Sequence, residues 1–71
     1  MDNINASRRR DMLAAVLSAG GCLDVTEWQA LGLRYGYNPR GLAGFFGGQY
    51  PSMVSDGRQR CLTDLGRGRA A

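Results

Sequence analysis

Between Met53 and Leu65 the chain runs a short apolar strand-like segment, an Asp56-Gly57 pair, an arginine-bearing segment and Leu62-Thr63-Asp64 without a gap. An Asp-Gly pair between strand-like segments is the strongest short-range hairpin signal, because a two-residue type I′ turn needs positive φ at both central positions. A hairpin is therefore predicted over 53–62. With Asp56-Gly57 at the turn, Ser55 would face Arg58 and Met53 would face Arg60, which puts both arginines on one side of the ribbon.

The residues ahead of the hairpin read as helices. Ser7 is placed to cap a first helix from Arg8 to about Ala19, with Met12, Leu13, Val16 and Leu17 as its apolar stripe, and Gly20-Gly21 ends it. Cys22-Leu23 is a brief extended segment that counts as a strand only if it pairs downstream. Asp24 and Glu27 stand in the relation of a capping box, so a second helix begins at Val25, buries Trp28, Leu31 and Tyr35, and stops at Gly36 as its C′ glycine. Asn38-Pro39 then starts a third helix at once, running to about Gly47 and burying Leu42 with Phe45 or Phe46. Gly41 and Gly44 lie one turn apart in it at a cost of about 1 kcal/mol each, which calls for close backbone approach to the second helix or to a partner. Residues 48–52 connect to the hairpin, and Thr63 caps a last helical turn over Asp64–Arg69. One domain, 1–71, is expected, with 1–6 and 67–71 fraying.

Composition excludes more than it selects. The chain has no histidine and two cysteines, which leaves no paired-ligand spacing for zinc and no imidazole for acid-base work at neutral pH. Ser52, Ser55 and Thr63 have no base near them in sequence, and a chain of this size cannot wall off a large pocket, so neither catalysis nor a cofactor or small-molecule substrate is expected. No apolar run approaches the roughly 20 residues of a membrane span, and the first ten residues are too polar for a signal peptide. With two cysteines far apart, the reading is cytoplasmic. All nine basic residues are arginine, and the net charge of +3 belongs to the second half, since residues 1–35 balance four arginines against four acids.

This order of elements resembles the winged helix-turn-helix family of bacterial and phage transcription factors. Asp24 to Phe46 is similar to the family's helix-turn-helix, and Asp56-Gly57-Arg58 followed by Leu62-Thr63-Asp64-Leu65-Gly66-Arg67 is similar to the wing and its "LT..GR" continuation. The resemblance implies a mostly helical α+β fold of three helices, a short strand, a β-hairpin wing and a short C-terminal helical turn. It further implies a DNA-binding face in which Asn38, Arg40, Gly41, Ala43 and Gly44 lie on the groove side of a recognition helix, 38–47, while Arg58 and Arg60 lie on the wing. That recognition helix departs from the family pattern in offering Arg40 and little else of any length. The resemblance also brings Cys22 beside Cys61, as two buried free thiols or as a redox-sensing pair, with the free thiols the expected state.

The function expected is that of a small DNA-binding protein, a transcriptional regulator or a phage- or plasmid-type accessory factor acting on double-stranded DNA, with a dimer or a larger assembly expected for useful affinity. Arg8, Arg9 and Arg10 are read first as a solvated, frayed helix end partly offset by Asp11, and second as a phosphate-contacting patch that adds to the DNA-binding face. Trp28, Tyr35, Phe45 and Phe46 are read as core, and Tyr37 and Tyr50 as partly exposed turn residues. The alternative is a protein-interaction module in which the glycine-bared third helix, with Phe45, Phe46 and Tyr50, packs against a partner.

Overall fold

A computed structural model describes residues 4–71 of the chain, with side chains from Ser7 onward. Its elements are α1 (Ile4–Ser18), β1 (Cys22–Asp24), α2 (Val25–Arg34), α3 (Pro39–Ala43), β2 (Met53–Asp56), β3 (Gln59–Leu62) and α4 (Asp64–Arg69). The fold is α+β, about half helical, with four helices beside one antiparallel sheet in the order β1-β3-β2. Cys22-Leu23 thus does become a strand, because β3 supplies its partner.

Glycine and capping residues set the helix boundaries. Both α1 and α2 end in Schellman motifs: Gly21 N–H donates to Val16 O and Gly20 N–H to Leu17 O, while Tyr37 N–H donates to Gly32 O and Gly36 N–H to Leu33 O. Gly20 and Gly36 occupy the C′ positions at φ +106° and +82°, where a side chain would be strained. Asp24 caps α2 by accepting from the amide of Thr26 rather than of Glu27, and Thr63 caps α4 by accepting from Gly66 N–H.

Four expectations for the helices are corrected. The first helix starts at Ile4, so Ser7 lies inside it instead of capping it, and of the lead-in only residues 1–3 fall outside the described residues. The tail at 67–71 does not stand apart: Arg67 to Arg69 complete α4, and Ala70 is buried in the core. Leu17 points outward from the stripe that Met12, Leu13 and Val16 bury. Close approach to the second helix is made by Gly32, whose site for a Cβ is filled by the Leu42 side chain, whereas Gly41 lies against Tyr37 and Gly44 against its own helical turn.

The core joins α1 (Met12, Leu13, Val16), Trp28, Tyr37, Leu42, Phe45, Met53, Leu62 and Ala70. Trp28 meets both Phe45 and Phe46 edge-on, at 5.3 and 5.6 Å between ring centroids, and Tyr37 packs on Phe45 at 5.3 Å. Such edge-to-face contacts fix where the α2–α3 turn sits on the helices beneath it.

Candidate nucleic-acid interface

The third helix is shorter than its sequence suggests. It spans Pro39–Ala43, and residues 44–46 continue only as a tight turn with hydrogen bonds from Gly44, Phe45 and Phe46 N–H to the carbonyls three residues back. Beyond that point the Phe45 carbonyl accepts from both Ser52 N–H and Met53 N–H, which turns the chain into β2 in place of another helical turn. Asn38 is consumed in capping, accepting from Gly41 N–H at 2.7 Å. Gly41 is half-buried, so the exposed surface is Pro39, Arg40, Ala43 and Gly44, and Arg40 is its one long side chain.

The hairpin forms, in a different register from the one expected. Asp56 pairs with Gln59, Ser55 with Arg60 and Met53 with Leu62, so the two-residue loop is Gly57-Arg58. Gly57 alone has positive φ, +60°, at the first central position, which is the type II′ requirement. Pairing Met53 with Leu62 puts two core side chains on one face; the expected register would have set Arg60 opposite Met53 and lost that burial.

The two hairpin arginines consequently have different roles. Arg60 lies opposite Leu23 and Ser55, half-buried, with Nη1 donating to Gly57 O at 2.8 Å and Gln59 O at 3.0 Å. Arg58, at the tip, reaches back to the α2 cap: Nε donates to Asp24 Oδ1 at 3.3 Å and Nη2 to Oδ2 at 3.4 Å. Arg58 remains 72 % exposed, so most of its donors still face solvent. The Thr26 amide and then Arg58 hold the Asp24 carboxyl below the ordinary aspartate range.

Cys22 and Cys61 are directly opposed across β1 and β3 and are joined by a disulfide. The expectation of buried free thiols is corrected on both counts. Strand alternation puts Cys61 on the opposite face from Leu62, away from the core, and Cys22 is exposed.

At the other end of α2, the arginines of α1 are ordered by aromatic rings. The Arg8 guanidinium lies 4.3 Å from the Tyr37 ring centroid and donates from Nη1 to Tyr35 O at 3.4 Å, and Arg9 lies 4.2 Å from the Phe45 ring centroid. Each stacking contact contributes about 0.5–2 kcal/mol, more as water is excluded. Tyr37, expected to stay partly exposed, is buried beneath Arg8; Tyr50 is exposed as expected. Arg8, Arg9, Gly36, Tyr37, Asn38 and Gly41 together line a recess of about 350 Å³.

Of the ten residues expected at the interface, Arg8, Arg9, Asn38 and Gly41 are therefore brought together, with Arg40, Ala43 and Gly44 exposed along α3 and its C-cap. Arg58 and Arg60 stand apart at the hairpin. Arg10 borders a second recess together with Arg9, Leu13, Ser52 and Arg69. Phe45 is buried and Phe46 half-buried against the core, as expected of core aromatics, so the exposed patch that the alternative reading needs is not formed. Sequence reading missed Ser52 and Arg69, and no local signal marks them, because they meet Arg10 only through tertiary packing. Comparison of the chain with family models, curated proteins and solved structures finds no match.

Proposed function

We propose that the chain is a small DNA-binding protein built as a winged helix-turn-helix, acting as a regulator or accessory factor, that grips the duplex mainly through phosphates. The observation that carries this reading is the placement of arginines at both ends of α2: Arg58 at its N-cap, and Arg8, Arg9 and Arg40 around the turn that follows it. A helix of ten residues is about 15 Å long, comparable with the roughly 12 Å width of the major groove, so the two groups match phosphates on opposite rims. Arginine suits such contacts because its planar fork pairs with phosphate oxygens two at a time.

A bare α3 sets the expected specificity. One long side chain, Arg40, supports at most one bidentate base contact, about 1–3 kcal/mol of discrimination, so affinity rests on counterion release. If about four phosphates are engaged, affinity for a random duplex falls roughly 100-fold between 50 and 200 mM salt. Fluorescence anisotropy across that range tests this; absent or salt-insensitive binding counts against the reading. Arg58→Ala is expected to lower the salt slope by about one, and Arg60→Ala by less because its guanidinium is already held by its own turn.

A further inference from the structure

The recess between α1 and the end of α4 shares Arg9 with the DNA-binding reading and is otherwise unused by it, and its composition is unusual. Arg9, Arg10 and Arg69 line it with Ser52 and Leu13, in a volume of about 290 Å³ that no carboxylate among the described residues borders. Three like charges around a concavity repel one another unless an anion joins them.

Two of the three are fixed in place. Arg69 Nη1 donates to Tyr50 O at 2.7 Å and to Ser52 Oγ at 2.8 Å, which leaves its Nε and Nη2 hydrogens for another acceptor. The Arg9 guanidinium carbon lies over the Phe45 ring, 4.2 Å from its centroid, a cation–π contact that requires none of its N–H donors. Ser52 is 2 % exposed and is held by Thr63 N–H donating to its carbonyl, so the floor of the recess is rigid. The volume lies at the lower limit of ligand pockets, large enough for one tetrahedral anion and a small substituent.

We propose that this recess binds a phosphate group, with Arg69 and Arg9 as oriented forks and Arg10 as the closing charge. The same chemistry is offered by a small phosphate ester or by a phosphate of a nucleic-acid strand, and the test separates these sources. Inorganic phosphate is titrated into the full chain at constant ionic strength, with chloride as the control, while the Ser52 and Arg69 amides are followed by NMR and thermal midpoints are recorded.

Saturable shifts at Ser52 and Arg69 with phosphate and not chloride, together with a rise in midpoint, are expected. Arg10→Gln, which removes an exposed side chain, is expected to weaken phosphate roughly tenfold while the chain stays folded. Arg69→Lys is expected to do the same, because a point charge cannot replace the fork. Identical responses to phosphate and chloride, or an Arg10→Gln variant that binds phosphate as tightly as the parent, would overturn the proposal.

Duplex DNA measured on the same variants then assigns the source. Affinity reduced by Arg10→Gln and by competing phosphate assigns the site to a strand phosphate. Phosphate binding lost in the variant with duplex affinity unchanged assigns it to a small phosphate ester. Phosphate binding without any duplex binding supports the recess while rejecting the DNA reading, so the two stand or fall separately.

Discussion

At the residue scale, the energetics concentrate where a side chain or its absence leaves no room for adjustment. A Cβ on Gly66 would overlap the Ser52 carbonyl oxygen, which is backbone and itself hydrogen-bonded to Thr63 N–H. Gly66→Ala is accordingly expected to cost roughly 3 kcal/mol, measured by chemical denaturation, because α4 must lift off the connector. At Gly32→Ala the nearest atoms are the two methyls and Cγ of the Leu42 side chain rather than backbone, so that variant should cost less. The Tyr37 hydroxyl is buried without a hydrogen-bond partner among the described residues. Tyr37→Phe keeps the ring beneath Arg8 and removes that unmet group, so its stability should equal the parent's or exceed it by about 1 kcal/mol. A loss of stability in that variant would mean the hydroxyl is paired in solution.

At the scale of elements, α2 is the member on which both arginine groups depend. Its N-terminus is held by Asp24, which accepts from Thr26 and pairs with Arg58, so one carboxylate ties helix to hairpin. Because the Asp24 pKa is lowered in the folded state, its contribution is complete above the unfolded-chain value of about 3.9 and is lost as the pH falls through the lower folded value. Asp24→Asn retains a cap but removes this titration, so its melting point should depend less on pH in the acid range than the parent's. What could be read in the sequence at this scale was local: Asp24, Asn38-Pro39, Thr63, Gly20 and Gly36 each act on their own turn, and each marks a real boundary. Tertiary partners fixed the rest. The length of α3 depends on the Phe45 carbonyl being taken by Ser52 and Met53, the hairpin register on Met53 meeting Leu62, and the burial of Tyr37 on Arg8, none of which leaves a mark within a few residues.

For the molecule as a whole, the disulfide is the one covalent cross-link between the two halves of the chain, closing a sequence separation of 39 residues. A loop of that length corresponds to about 4 kcal/mol in the chain-entropy account, a large share of the total for a small chain. Reduction, or Cys22→Ser with Cys61→Ser, is expected to lower stability by roughly 2–4 kcal/mol, and the hairpin to be the first part to lose amide-exchange protection. The bonded pair also removes the argument for a reducing compartment that rested on free cysteines. Both arginine groups lie on parts of the molecule this tie helps to hold: the hairpin directly, and the α2–α3 turn through the sheet and α2. The most direct test of the account is amide chemical-shift mapping of the full chain with a short duplex at low salt. The account predicts perturbations at 8–10, 36–41 and 57–60, with the groove lined by Ala15, Ala19, Ala30 and Leu31 unaffected. Shifts confined to that groove, or none at all, would contradict it.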